Sequence, residues 1–317
     1  MSSVRVGVIG VGHLGYHHAR LYTLLPDAEL VGLVDADAAR AGALATEFGT
    51  QAYPSVAALL EAGVQAVSVV VPTALHHEVA MPLLEAGIDV LVEKPIAASV
   101  AEAQALVTAA QKHGRILQVG HVERFNGAVI ALRQAVRHPR FIECHRLSPY
   151  SGRGADVSVV HDLMIHDLDI VRALEHSEVV SVDAVGVPVF SNSEDIANAR
   201  IRFASGCVVN LTASRVSMER MRKIRIFEPN AYVSTNYSEQ EVLVYRKKPG
   251  AIEPGADPMQ FISIDALPVT REEPLKLELE SFVHSVRDRT RPEVAGEDGL
   301  EALVLAQRIV DFIRDHS

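Results

Sequence analysis

Cysteine is scarce in these 317 residues: Cys144 and Cys207 stand far apart and outside any C-x-x-C spacing. Neither a disulfide framework nor a cysteine zinc site is indicated, and each thiol reads as a small buried hydrophobe. Long apolar runs are missing as well, none approaching the roughly 20 residues that cross a bilayer. The opening Met-Ser-Ser-Val-Arg leads into a strand pattern rather than a signal peptide, so a cytoplasmic location with no membrane attachment is expected. Basic residues are the minority, 30 Lys and Arg against 40 Asp and Glu. The resulting formal charge of −10 opposes non-specific nucleic-acid binding, while local basic pockets for a phosphorylated ligand stay open. Internal repeats and low-complexity tracts are absent.

What is present is enough apolar residue, 48%, to bury substantial cores, and the length favours about two domains. The first third alternates strand-like runs (Val4 to Ile9, Leu30 to Val34, Ala66 to Val71, Asp89 to Val92, Ile116 to Val119) with alanine-rich helical stretches. That alternation predicts βαβ units and a doubly wound parallel sheet. After Gly120 the pattern changes. A helix over Val157 to Leu174 and a succession of strands follow, with Ser205-Gly206 reading as a two-residue hairpin turn and Pro229-Asn230 as another. Two helices, Leu275 to Arg289 and Gly299 to Ile313, close the chain. The expected fold is α/β: an N-terminal Rossmann domain over residues 1–121, then an α+β domain with a largely antiparallel sheet over 122–317.

Gly10-Val11-Gly12-His13-Leu14-Gly15 matches G-x-G-x-x-G between an apolar strand and an amphipathic helix, the context in which the motif binds a dinucleotide. Gly10 permits the tight turn, Gly12 lets backbone approach a pyrophosphate, and Gly15 lets helix and strand pack closely. The amides at the helix start, around His13 and Leu14, face the phosphates. Asp35 ends the second strand, where a carboxylate accepts bonds from ribose hydroxyls and repels a 2′-phosphate, which favours NAD over NADP. Arg40 nearby could soften that repulsion. Lys94, in Glu93-Lys94-Pro95, falls at the carboxyl edge of the sheet, where such folds bind ligands. An ammonium placed there could stabilise alkoxide character at a substrate hydroxyl, although in isolation it also reads as a solvated surface lysine.

The glycine loop, Asp35, Pro72-Thr73 with His76, and Glu93-Lys94-Pro95 together resemble the Gfo/Idh/MocA family of oxidoreductases. The resemblance implies a Rossmann domain paired with an antiparallel-sheet domain that carries substrate residues and builds homodimers or homotetramers. It also implies that Lys94 is the active-site lysine and that Thr73, His76 and Glu93 line the cofactor. Thr73 stands where the family often has asparagine.

On a helix, Asp162 and His166 are i,i+4 neighbours, and a carboxylate beside an imidazole suits a general base, though a simple helix salt bridge would look the same. The pair matches the family's D-x-x-x-H pattern, which implies that Asp162 contacts substrate and His166 is the acid/base. No metal is expected, because His161 and His166 do not share an α-helical face and hydride transfer needs none. The segments around Arg124 and Asn126, from Arg146 to Arg153, and around Asp162 resemble the subgroup that oxidises the 3-hydroxyl of UDP-N-acetylglucosamine on the way to lipid A. Arg124, Arg146 and Arg153 would then grip a pyrophosphate, guanidinium forks being suited to phosphate oxygens, or else be ordinary surface arginines. An inositol or monosaccharide dehydrogenase and a non-catalytic NAD-binding sensor are the competing expectations.

Overall fold

The structure, a computed structural model, describes residues 3–150, 157–248, 250 and 257–316. The chain divides into two compact units, residues 1–122 with 273–303 and residues 123–272 with 304–317. The first break falls where the composition changes. The second returns Glu273–Leu303 to the first unit, whereas the sequence pattern assigns everything after residue 121 to the second.

In the first unit β1 (Val4–Ile9), α1 (His13–Tyr22), β2 (Ala28–Val34), α2 (Ala38–Phe48), β3 (Gln51–Ala52) and α3 (Val56–Glu61) are followed by β4 (Ala66–Val69), α4 (His76–Glu85), β5 (Asp89–Glu93), α5 (Val100–His113) and β6 (Leu117–Gly120). The six strands pair in parallel in the order β3-β2-β1-β4-β5-β6. Strand order reverses between β1 and β4, and doubly wound sheets bind ligands outside the carboxyl ends of the strands at that switch point. The strands read as continuous apolar runs because both faces are covered: all four residues of β4 and all five of β5 are buried.

The second unit holds α6 (Gly127–Ala135), β7 (Phe141–Leu147), a π-helical turn (Val160–Met164) running into α7 (Ile165–Leu174), and β8 (Val179–Val187). It continues with β9 (Ile196–Phe203), β10 (Val208–Ser214), β11 (Met221–Glu228), β12 (Ala231–Asn236), β13 (Glu241–Lys247) and β14 (Ile262–Ala266). These strands form one sheet in the order β14-β13-β12-β11-β7-β10-β9-β8. Every neighbouring pair is antiparallel except β7 with β10. Burial alternates along them with period two, as on β9, where Ala197, Ala199, Ile201 and Phe203 point inward. The β9–β10 turn has three residues, not two: Phe203 pairs with Cys207, and Gly206 takes φ +86° while donating to the Phe203 carbonyl. A turn closed by a left-handed glycine is the usual three-residue hairpin. Pro229-Asn230 is a two-residue turn, with Glu228 opposite Ala231.

Two helices end the chain, α8 (Pro274–Asp288) and α9 (Gly296–Asp315), the second division falling within α9. The return of α8 to the first unit has a packing cause. Its buried Leu279, Phe282, Val283 and Val286 join Val4, Val6, Val8, Ala19 and Tyr22 in one core over β1 and α1. The periodicity of α8 announces a buried stripe, but not which sheet receives it. Phe282→Ala is expected to cost about 3–5 kcal/mol, read as a lower urea midpoint for the first unit; an unchanged midpoint would show that α8 is no part of that core.

Candidate active site

The carboxyl ends of β1, β2, β4 and β5 surround a cleft of ≈ 610 Å³ in the first unit, within the size range of ligand pockets. Its floor is the glycine loop. Gly10 sits at φ +85°, and a side chain there would strike the Val70 carbonyl oxygen at 2.5 Å. A Cβ on Gly15 would lie 1.9 Å from the Gly10 carbonyl oxygen, so only glycine lets α1 start so close to β1. Above Gly12 there is open space, with no atom within 4 Å of a Cβ there, and no side-chain cap closes the first turn of α1. Free first-turn amides and the positive end of the helix beside that space suit a pyrophosphate.

Asp35 is braced against the same loop, its Oδ2 accepting the Val11 N–H at 2.6 Å and its Oδ1 the Asp37 N–H at 2.8 Å. Each carboxylate oxygen keeps a further lone pair for a ribose hydroxyl. Asp37 also caps α2, and the exposed Arg40 at the cleft wall lies 3.2 Å from its Oδ2. His13 and Leu14, at the start of α1, also line the cleft.

Thr73 begins the short helical turn after Pro72, and buried His76 follows it. The His76 ring spans two backbone carbonyls, Nδ1 to Pro95 at 2.8 Å and Nε2 to Val71 at 2.9 Å. Burial holds its pKa below the ordinary imidazole value against those two bonds, which favour the proton. His76 therefore ties the loop after β4 to the turn after β5. Lys94 opens that turn, half-buried at the cleft, with a cis peptide to Pro95. Beside it Glu93 is buried: its Oε2 accepts the Lys94 N–H at 3.1 Å and its Oε1 lies 3.1 Å from Nε2 of His18. Sequence reasoning missed His18, although Gly15, His18, Ala19 and Tyr22 form a buried stripe of α1 at helical spacing.

In the second unit Asp162 lies in the π-helical turn and His166 is the second residue of α7. A π turn bonds i to i+5, so the α-helical spacing used to place the pair, and to separate His161 from His166, does not hold across Val160–Met164. Asp162 stays anchored through its N–H to the Ser158 carbonyl at 3.0 Å. Such turns inside helices recur at functional sites. No group of three potential metal ligands occurs among the described residues.

The arginines call for a correction. Arg124, 4% exposed, gives both arms of its fork to Asp169, at 2.7 and 2.9 Å. Arg146, 3% exposed, is bidentate to Asp167, with both bonds at 2.9 Å, and reaches Glu123 at 2.9 Å. Burial opposes the Arg146 charge, but the two carboxylates outweigh it and raise its pKa. These guanidinium groups anchor α7 through the two aspartates that follow His166, and are not offered to a phosphate. Strand alternation carried the signal, because Arg146 shares the buried face of β7 with Ile142 and Cys144. Asn126 is likewise the cap of α6, accepting the Ala128 N–H at 3.0 Å. Arg153 lies outside the described residues.

A third buried pair, absent from the sequence reading, steadies the entry to the π turn. Arg215 holds Asp195 at 2.7 Å and the Val157 carbonyl at 2.8 Å. Asp195, whose carboxyl is held far below the usual range, collects the N–H groups of Val189, Phe190 and Ser191.

The open switch point, the uncapped helix and the carboxylate at the end of β2 are the features of a dinucleotide-binding Rossmann unit. Comparison with known proteins places it further. Residues 4–121 match the oxidoreductase family with an NAD-binding Rossmann fold, and residues 124–231 match the GFO/IDH/MocA C-terminal domain. The chain belongs to the Gfo/Idh/MocA family. It is 38% identical to UDP-N-acetylglucosamine 3-dehydrogenase of Acidithiobacillus ferrooxidans over 98% of this chain and 97% of that one. A solved structure of that enzyme superposes with a TM-score of 0.91, covering 99% of both chains at 35% identity. The scyllo-inositol 2-dehydrogenase (NAD(+)) of Bacillus subtilis is 31% identical over 68% of each chain.

Arg146→Leu would leave Asp167 and Glu123 buried without their cation and is expected to cost about 3–5 kcal/mol of stability, measured by chemical denaturation. A phosphate-gripping arginine would instead lower nucleotide-sugar affinity and spare stability, so that outcome would restore the earlier assignment.

Proposed function

We propose that this protein is an NAD-dependent dehydrogenase that oxidises the 3-hydroxyl of UDP-N-acetylglucosamine to a ketone, an early step toward the amino sugars of lipid A. The observation that carries the reading is the 38% identity to the Acidithiobacillus ferrooxidans 3-dehydrogenase, sustained along 98% of the chain and hence through both units. The inositol dehydrogenase of Bacillus subtilis matches less of it, at lower identity.

In this reading the glycine loop and α1 hold the pyrophosphate, and Asp35 accepts the adenosine ribose hydroxyls, which is why NAD is preferred to NADP. Bound nicotinamide supplies the hydride acceptor. Lys94 donates a hydrogen bond to the sugar oxygen and stabilises its negative charge as the carbon–hydrogen bond breaks. His166 removes the hydroxyl proton, and Asp162 orients the sugar. Arg153 remains a candidate for the diphosphate, while Arg124, Arg146 and Asn126 act through α6 and α7.

We also assign self-association, as a homodimer or homotetramer, to the sheet of the second unit. Phe141, Phe227, Tyr232 and Tyr245 stand opposite one another across β7, β11, β12 and β13, with ring centroids 5.6, 4.8 and 5.1 Å apart. Ile264, 51% exposed, pairs with Tyr245 at the end of that row. Exposed apolar rows of this kind mark interaction surfaces. Tyr232→Asp is expected to lower the mass found by sedimentation equilibrium; an unchanged oligomer would remove this face from consideration.

Purified protein mixed with NAD and UDP-N-acetylglucosamine should generate reduced nicotinamide, most clearly with a transaminase present to draw off the ketone. Lys94→Ala should lower kcat by about 10²–10³-fold and spare NAD affinity. Turnover of inositol or a free hexose alone would remove the nucleotide sugar and leave the dehydrogenase. Failure of every sugar, with NAD binding intact, would favour a sensor.

A further inference from the structure

We propose that His18 is a positioning residue for Lys94: its buried imidazole holds the Glu93 carboxylate, which in turn holds the Lys94 peptide N–H and stands as counter-charge to the lysine ammonium. The inference rests on the reading of Lys94 as the active-site lysine.

All the parts lie in the first unit. The His18 side chain is fully buried; among the described residues it bonds through Nε2 to Glu93 Oε1 at 3.1 Å, and Nδ1 has no partner there. A histidine retained only to fill volume would need no such bond, since an apolar side chain fills space at lower desolvation cost. The geometry fits the tautomer with its proton on Nε2, donating to the carboxylate. The second carboxylate oxygen accepts the Lys94 N–H at 3.1 Å. Gly120, opposite Glu93 in the β5–β6 register, leaves the room this requires, because a Cβ there would sit 2.9 Å from Glu93 Oε2. The carboxylate is thus fixed from three sides, by α1, by β6 and by the peptide it serves. Helix α1 also begins at the glycine loop, so the element that faces the dinucleotide phosphates is joined to the lysine through one buried contact.

The charged and titratable groups facing Glu93 are His18 from α1, Lys94 from its own strand end and His76 from α4. Burial alone pushes the Glu93 carboxyl up; the hydrogen bond from His18, with help from the Lys94 N–H and ammonium, brings it below its ordinary value. Without His18 the effect of burial on Glu93 is less opposed, and its carboxylate becomes a weaker anion beside the Lys94 ammonium. An ammonium beside a weakened anion gives up its proton at lower pH.

The experiment uses the full-length protein without added cofactor. Acylation of Lys94 by acetic anhydride is followed by mass spectrometry across a pH series, with exposed Lys112 as internal reference. His18→Leu and Glu93→Gln are each expected to move the Lys94 midpoint down by about one pH unit, while His18→Gln, which keeps an N–H donor, returns most of the shift. In turnover, His18→Leu should lower kcat about tenfold or more, spare NAD affinity, and be rescued in part by His18→Gln. An unchanged Lys94 profile in folded His18→Leu and Glu93→Gln would falsify the proposal, as would identical behaviour of His18→Gln and His18→Leu. If His18→Leu does not fold, Glu93→Gln and Gly120→Ala perturb the same carboxylate from its other sides. A wild-type protein that oxidises no sugar ends the dehydrogenase reading, yet the acylation midpoints still decide the role of His18.

Discussion

The approach of α1 to β1 is the constraint on which the first unit turns. Gly10 takes a left-handed conformation with its missing side chain against the Val70 carbonyl, and Gly15 rests its missing side chain on Gly10 itself. Any Cβ at either place would lift the helix off the strand. With the helix seated, its first amides face the gap beside β4, the Val11 N–H meets Asp35, and His18 arrives within reach of Glu93. Three strand ends are thereby organised by one junction, which is why a loop usually described as a phosphate cradle also governs where the lysine stands.

The second unit reaches order by a different route. Its π turn and α7 are steadied by buried ion pairs: Arg124 to Asp169 and Arg146 to Asp167 and Glu123 on the helix, and Arg215 to Asp195 beside the entry at Val157. Buried pairs of this kind add little net stability, since desolvating both charges consumes most of their attraction. They are strict about geometry, however, because a displaced partner leaves a charge buried without compensation. Asp167 and Asp169 follow His166 by one and three positions, so the segment carrying the proposed base also carries the residues that fix its rotation.

Local signals made much of this legible from sequence. The helices Ala38–Phe48, Val56–Glu61 and Val100–His113 start where residues of good capping type stand, Asp37, Ser55 and Ser99, each of which caps its helix through its own side chain. The candidate cofactor residues cluster in sequence around three strand ends, and a parallel sheet brings strand ends together by topology alone. The arginines were misread because nothing local reports a carboxylate 45 positions away, as for Arg124 and Asp169. The π turn is a matter of one extra residue in a hydrogen-bonded ring, which leaves the apolar pattern of Val157 to Leu174 almost unchanged. The place of α8 in the first unit was hidden on the same ground, since an amphipathic stripe specifies a buried face and not its partner.

His18 illustrates how the two kinds of information combine. Its place on the buried stripe of α1 is written in the helical spacing of Gly15, Ala19 and Tyr22, and a buried histidine has to find a polar partner or lose the solvation of its ring. Sequence therefore poses the question of a partner without answering it. The answer depends on β5 lying two places from β1 in the sheet, with Glu93 at its carboxyl end and a glycine on β6 beside it. A residue of the helix after the glycine loop and a residue beside the lysine turn thus meet only because the strand order reverses between β1 and β4. The feature that opens a cleft at the switch point is also the one that lets the helix after the glycine loop reach the turn that carries Lys94.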